Sequence, residues 1–365
     1  MATSSTPASN GSSKSGRIAH RPTPPPKPAP GDSIAVISPS FAAPEHYPEL
    51  HERALERLAA STGLVPVEYS STRRATSARQ RADDLNHALA DPSIRAVITT
   101  IGGEDQITIV PFLDAACALA DPKPVLGYSD CTNILNWLWT NGIAAFHGGS
   151  TQVQMGPGPA LDPCHEVSLR AALLSGGRLE IVEPTESEDV GVPWDDPRAL
   201  RQFGPRSPTE PWTWGGAERT VTGPTWGGSL EVLQWILAAG RFPSNPVVLE
   251  GAVLILETSE LLISTQEFTW MLRVFGERGL LSAAAAVIVA RPPTSNFEHT
   301  PSESDRRTHR LEQASAAVDV VARYNSDAVV CAGPSIGHTR PQWIVPYGGL
   351  MTVDGAARRV WADYS

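Results

Sequence analysis

From Ser33 to Thr100 the chain alternates short apolar runs with amphipathic ones, and that alternation restricts the fold more than any other feature of the sequence. "SIAVIS" is a short apolar run, "YPELHERALERLAASTG" repeats its apolar positions at helical spacing up to Gly63, and "LVPVEY" is apolar again. Ser77 and Gln80 have the spacing of a capping box in front of "ARQRADDLNHALA", after which "IRAVITT" is a third run ending in Ile101-Gly102-Gly103. Strands joined by helix-length crossovers lie parallel, so this pattern predicts a β-α-β-α-β unit with helices covering both faces. "ITIVPFLDAACALA" continues it with a helix and "PVLGY" with a strand.

That strand stops at Gly127-Tyr128-Ser129-Asp130-Cys131 and passes directly into "TNILNWLW". A sharp strand-to-helix turn lifts its central side chain above the carboxyl edge of a parallel sheet, the edge at which open α/β sheets bind ligands. The nucleophile-elbow signature is G-x-S-x-G, and here Cys131 replaces the final Gly. On these residues alone Ser129 is either a nucleophile or, with Asp130, a cap for the following helix.

A second α/β pattern starts near residue 215: "GGSLEVLQWILAAG" reads as a helix and "GAVLILETSE" as a strand. "STQEFTWMLRVFGERG" reads as a helix opened by Ser264 and Glu267. "AAVIVARPP", "DAVVCAG" and the terminal "GGLMTVDGAARRVWADYS" add strands around a helix through "RLEQASAAVDVVARY". With 365 residues the chain exceeds what one hydrophobic core usually serves. The expected division is a disordered Pro/Ser-rich tail over 1–30, an N-terminal α/β domain over 31–160, a linker or substrate loop over 161–214 and a C-terminal α/β domain over 215–365. The first domain should be a parallel sheet of flavodoxin/Rossmann type and the second mixed α/β, with the active site between them.

Composition removes several functions. A net charge of −10 without a basic run argues against nucleic acid as partner. No apolar stretch reaches the roughly eighteen residues that span a bilayer, so no membrane partner is expected. The four cysteines (Cys117, Cys131, Cys164, Cys331) show neither ligand spacing nor a disulfide framework, which suggests reduced thiols in a cytoplasm and no metal. No cofactor motif is present.

A serine nucleophile needs a base and an acid that orients it. Of nine histidines, His46, His51 and His87 lie on or beside polar helix faces, His20 in the tail, and His165, His299 and His309 in polar, loop-like stretches. His147, in "AAFHGGS", and His338, in "GPSIGHTRPQWIVPYGG", remain as candidates. A lone His after an apolar strand is more often packed and hydrogen-bonded, whereas His338 sits among turn residues that can hold an exposed imidazole rigidly. Glu257 ends the apolar run "AVLILE", where a carboxylate needs a partner to offset desolvation. An imidazolium would supply it.

Six segments together resemble the motifs of the LD-carboxypeptidase family of serine peptidases, in order. They are "KPAPGDSIAVISPS", "RQRADDLNHALADPSIRAVITTIGGED", "KPVLGYSD", "GGSLEVLQWIL", "LILETSE" and "IGHTRPQWIVPYGG". The resemblance covers about residues 28 to 365. "TTIGGEDQITIVPFLD" and the Trp-rich insertion look closer to the microcin C self-immunity peptidase branch (MccF-like) than to the muropeptide-trimming enzymes, whose Arg before the Gly-Gly pair is replaced by Ile101.

The resemblance implies a Ser-Glu-His triad of Ser129, Glu257 and His338, with Gly103 and Asp130 N–H groups as oxyanion donors. It implies a small peptide or peptidyl-nucleotide substrate, bound with help from Gly102 and Glu104, and is compatible with a homodimer. The alternatives are a muropeptide LD-carboxypeptidase releasing terminal D-Ala, and a non-catalytic binding protein on the same scaffold. A nucleotide would want an aromatic wall, for which Trp194 and Trp212 are the first candidates and Trp214 and Trp226 the next. Packing of the inter-domain seam is the competing role for these tryptophans.

Overall fold

The computed structural model describes residues 20–365. Its strands are, in chain order, β1 (Ser33–Ile37), β2 (Val65–Glu68), β3 (Ile94–Thr99), β4 (Val125–Gly127), β5 (Ala145–His147), β6 (Arg178–Ile181), β7 (Glu186–Ser187) and β8 (Ser207–Pro208). There follow β9 (Thr213–Gly216), β10 (Thr220–Ser229), β11 (Val253–Glu257), β12 (Ala286–Val289), β13 (Val329–Ala332), β14 (Val345–Tyr347), β15 (Leu350–Asp354) and β16 (Arg359–Asp363).

The first sheet runs β14-β5-β4-β3-β1-β2, and its five N-terminal strands are mutually parallel. Their order 2-1-3-4-5 is the flavodoxin-like one, which reverses direction between β1 and β3. The loops after β1 and β3 therefore diverge at their carboxyl ends and leave a crevice. The strands Ile34–Ile37 and Ala96–Ile98 are buried on both faces, which is why they read as continuous apolar runs. Helices Pro48–Thr62 and Ala78–Ala90 flank them; the second is opened by the reciprocal Ser77–Gln80 box, and the first ends at Gly63 in the left-handed conformation.

The second sheet runs β6-β16-β15-β10-β11-β12-β13-β9, parallel from β10 to β13 and antiparallel elsewhere. The architecture is two-domain α/β. The sheets meet where helix Thr132–Thr140 of the first packs on β10 of the second. There Trp226 donates from Nε1 to Asn136 Oδ1 at 3.2 Å, and Ser229 N donates to Thr132 Oγ1 at 3.2 Å. Trp139, Trp226 and Phe242 form one aromatic cluster in that seam, with Trp226 wholly buried.

Four expectations need correction. Residues 1–19 of the expected disordered tail lie outside the described residues, but residues 20–30 are packed: Thr23 N donates to Gly142 O at 2.8 Å and Lys27 Nζ to Ala172 O at 2.6 Å. Prolines fix φ in advance, so ordering this segment costs little backbone entropy. The helix expected over "ITIVPFLDAACALA" is two 3₁₀ turns, Gln106–Thr108 and Val110–Phe112, and a short helix Ala115–Ala120, because Pro111 cannot continue an α-helical ladder. The expected linker 161–214 contains helix Pro163–Arg170 and strands β6 to β9, of which β6 and β9 are edge strands of the second sheet. Finally, β14 lies in the C-terminal part of the sequence yet pairs antiparallel with β5 of the first sheet.

Candidate active site

Ser129 follows β4 directly and has φ of +61°, in the left-handed region where a non-glycine residue is strained. Tyr128 before it is extended, and helix Thr132–Thr140 begins three residues on. This is elbow geometry. Ser129 makes no capping bond to that helix; its first turn is served instead by Gln106, whose Oε1 accepts from Ile134 N at 3.2 Å. Asp130 is not a cap either: its buried carboxylate accepts from Ser40 Oγ at 2.7 Å, Gln106 N at 2.8 Å and Asn133 Nδ2 at 2.9 Å. One side chain thus clamps the loops after β1 and β3 to the turn that holds the strained serine. Burial pushes its carboxyl above the ordinary range, against those hydrogen bonds.

The loop after β3 comes up against the elbow. A Cβ on Gly102 would lie 3.0 Å from Ser129 Oγ and 3.1 Å from Asp130 N, so only glycine permits this approach. Among the described residues, the N–H groups of Gly103 and Asp130 have no hydrogen-bond acceptor. Arg81 is committed to Asp105 through both terminal nitrogens, at 2.7 and 2.8 Å, and to Ser40 O at 2.8 Å, which fixes the same loops from below.

Glu257 is the last residue of β11 in the second sheet, and His338 lies in the loop that runs from β13 of that sheet to β14 of the first. His338 Nδ1 is 2.5 Å from Glu257 Oε2. An ionised carboxylate only accepts, so Nδ1 carries the hydrogen and Nε2 is left to act as acceptor when the ring is neutral. Gly337 lets the backbone pass close to Glu257: a Cβ there would lie 2.8 Å from Glu257 Cβ. Burial works against a charge on His338, but Glu257, with Glu260 and Glu231, outweighs it and raises the imidazole to about 9. Burial likewise raises the Glu257 carboxyl, with the His338 charge opposing.

Ser129 and His338 line one pocket of about 820 Å³, together with Gly102, Gly103, Glu104 and Trp194. His338 Nε2 is buried without a hydrogen-bond partner among the described residues, so the Ser129–His338 hydrogen bond is not formed in this state. Its nearest charged neighbour is Glu260 Oε2 at 3.4 Å. Sequence reasoning missed Glu260, although it stands three residues beyond Glu257 in the same turn. It also missed Ser40, Arg81 and Arg340, whose approach depends on tertiary packing.

The tryptophans separate. Trp194 reaches the pocket wall and meets Tyr47 edge-on at 5.3 Å between ring centroids. Trp212 is not among the pocket's lining residues: it lies against Trp214 and Gly333 at the far edge of the second sheet, which corrects the expected role. Trp226 belongs to the seam. Trp212→Ala is accordingly expected to lower the melting temperature and leave the relative rates on different substrates unchanged, as thermal unfolding beside a substrate panel would show.

Three histidines also differ from expectation: His51 is buried, with Nε2 2.8 Å from Glu68 Oε1, His309 lies within helix Glu303–Tyr324 and not in a loop, and His165 is the third. His165 is on helix Pro163–Arg170, not in a solvated loop, and burial lowers it to about 4, with Nδ1 3.2 Å from Gln342 O. His147 is buried as expected; burial lowers it to about 3, the His338 charge acts in the same direction, and a weak contact with the Ile336 backbone opposes them. Among the described residues no cluster of His, Cys, Asp and Glu could hold a metal ion, and no helix is long and apolar enough to cross a membrane.

Comparison with known proteins gives the family and the fold. The LD-carboxypeptidase N-terminal domain family matches residues 34–148 and the LD-carboxypeptidase C-terminal domain family residues 222–353. The chain is 25% identical over 297 residues to the microcin C7 self-immunity protein MccF of Escherichia coli, covering 77% of each. Over 148 residues it is 30% identical to a murein tetrapeptide carboxypeptidase of Pseudomonas aeruginosa, covering 40% of this chain and 48% of that one. The fold matches the solved structure of MccF in complex with aspartyl sulfamoyl adenosine, with a TM-score of 0.76, 20% identity and coverage of 95% and 98%. It also matches an MccF-like protein from Streptococcus pneumoniae in complex with AMP, with a TM-score of 0.79, 22% identity and coverage of 92% and 99%.

Proposed function

The chain belongs to the LD-carboxypeptidase family of serine peptidases, and on that basis we propose that it hydrolyses an amide bond in a peptide or aminoacyl-nucleotide conjugate through Ser129, His338 and Glu257. The observation that carries this reading is the strained Ser129 sharing a pocket with an imidazole that a buried carboxylate holds at 2.5 Å. Ser129 Oγ attacks the carbonyl carbon while His338 Nε2 takes its proton, and the N–H groups of Gly103 and Asp130 receive the developing oxyanion. The imidazolium then protonates the leaving nitrogen. Water, deprotonated by the same imidazole, releases the acyl group from Ser129. Glu257 fixes the tautomer and stabilises the imidazolium throughout. In this reading residues 31–160 supply the nucleophile, residues 215–365 the base and acid, and the work is done in the cytoplasm.

A nucleotide-bearing substrate is favoured by Trp194 on the pocket wall and by Ile101, also a lining residue, where the muropeptide branch has Arg. MccF is known in complex with an aminoacyl sulfamoyl adenosine. The second reading, release of D-Ala from a muropeptide tetrapeptide, draws on the likeness to the murein tetrapeptide carboxypeptidase over part of the chain. A side-by-side hydrolysis assay decides between them: the first reading requires turnover of an aspartyl-adenylate-type conjugate, and cleavage of the muropeptide alone overturns it. Trp194→Ala should raise the KM for nucleotide-bearing substrates by roughly five- to a hundredfold, equivalent to losing about 1–3 kcal/mol of stacking, and hardly affect a plain peptide. Equal losses on both would remove Trp194 from recognition.

A further inference from the structure

The pocket has an unbalanced charge. Its two lining arginines are already engaged, Arg81 with Asp105 and Arg340 with Asp162 and three backbone carbonyls. Of its five lining carboxylates, Asp105 pairs with Arg81, Glu188 with Arg206 and Asp189 with Arg291. Glu104 and Glu260 have no cationic side chain of Lys or Arg beside them among the described residues. Of these two, Glu260 stands beside the base, with Oε2 3.4 Å from His338 Nε2.

Its backbone is held in place. Buried Glu231 accepts from Ser259 N at 2.9 Å and Ser259 Oγ at 2.8 Å on one side, and Asn296 Nδ2 donates to Glu260 O at 3.1 Å on the other. The carboxylate itself is 65% exposed and points toward the nitrogen that has to accept the serine proton. Ser129 and Glu260 line the same pocket.

Building on the peptidase reading above, we propose that Glu260 is the specificity-determining residue of this pocket, selecting acyl groups that carry an ammonium or guanidinium group. A cation drawn to Glu260 has a second effect. It compensates a carboxylate that adds to the hold of Glu257 on the imidazolium, so that Nε2 gives up its proton more readily and can accept from Ser129 when a matching substrate is bound. The other titratable groups facing His338 are Glu257, Glu231, His147 and Tyr128, all of them buried, whereas Glu260 is exposed.

The cation could be a side-chain ammonium or the free α-amine of an aminoacyl group, and matched probes separate the two. Binding of L-lysinamide, L-norleucinamide and their Nα-acetyl forms is measured by calorimetry on the wild type, Glu260→Gln and Glu104→Gln. The wild type should bind the probe with the recognised cation about tenfold more tightly than its uncharged match, and Glu260→Gln should bring that ratio close to one. Loss of the lysine-over-norleucine preference assigns the side-chain ammonium; loss of the free-over-acetylated preference assigns the α-amine. No preference in the wild type, or an equal loss in Glu104→Gln, overturns the proposal.

The same acyl pairs are then tested as hydrolysable conjugates across pH. Glu260→Gln should lower kcat/KM for the cationic conjugate about tenfold relative to the neutral one and move the acid limb of the profile to lower pH. A merely structural role would move neither. Hydrolysis by the wild type without charge preference refutes the Glu260 assignment and leaves the peptidase reading standing. A Glu260-dependent binding preference without hydrolysis of any conjugate does the reverse.

Discussion

Ser129→Ala is expected to reduce hydrolysis by several orders of magnitude while the protein still folds and binds substrate. The size of the effect follows from covalent catalysis: without Oγ no acyl-enzyme forms, and the remaining pocket can only orient substrate and polarise its carbonyl. Folding should survive because Ser129 caps no helix and the elbow is held by Asp130, Ser40, Gln106 and Asn133. Alanine at φ +61° carries the same backbone strain as serine, so the variant isolates the hydroxyl. The check is kcat on a cleavable conjugate together with equilibrium binding and circular dichroism. Wild-type turnover would remove Ser129 from the chemistry, and loss of folding would show that the elbow depends on the hydroxyl.

Glu257→Gln should lower kcat about 10²–10⁴-fold, because an amide can neither stabilise the imidazolium nor hold the required tautomer with certainty. The pH profile carries a second signature. In the free wild-type enzyme the imidazole is raised to about 9, and the base acts only when neutral, so kcat/KM should climb with pH through that region. Removing the carboxylate leaves burial as the dominant influence and moves the residual acid limb downward. The stability linkage has the opposite sense. A His raised in the folded state contributes its stabilisation fully below its unfolded value near 6.5, and loses it as pH rises through about 9. Wild-type thermal stability should therefore decline between those values more than that of Glu257→Gln. A change in kcat under about tenfold would mean that Glu257 does not orient the base.

The local part of this architecture is visible in the sequence. The parallel strands are buried on both faces and therefore continuous in hydrophobicity, and the Ser77–Gln80 and Ser264–Glu267 boxes announce their helices because both partners lie within four residues. The elbow was legible for the same reason, since strand, serine and helix are contiguous. Glu257 stood out because a carboxylate ending an apolar strand requires a partner.

What depends on distant packing was not legible. β14 joins the first sheet from the C-terminal part of the chain, and β10 forms a central strand although "TVTGPTWGGS" contains three glycines and a proline. Its Pro224 pairs at the end of the antiparallel β15 ladder, where a missing N–H is tolerated. Trp194 and Trp212 occupy similar Pro- and acid-rich sequence, and only the fold places one on the pocket and the other at the sheet edge. His165 read as a loop residue because its helix is short and begins with Pro163.

The account rests on Ser129 as the attacking atom, and stoichiometric labelling tests it most directly. The enzyme is treated with a small alkyl fluorophosphonate, which phosphonylates an activated serine and releases fluoride, and the adduct is mapped by peptide mass spectrometry while hydrolysis is followed in parallel. The account predicts one label per chain on the peptide containing Ser129, loss of activity in proportion to labelling, and no label in Ser129→Ala. Labelling at another residue, or full activity with Ser129 completely modified, would contradict it.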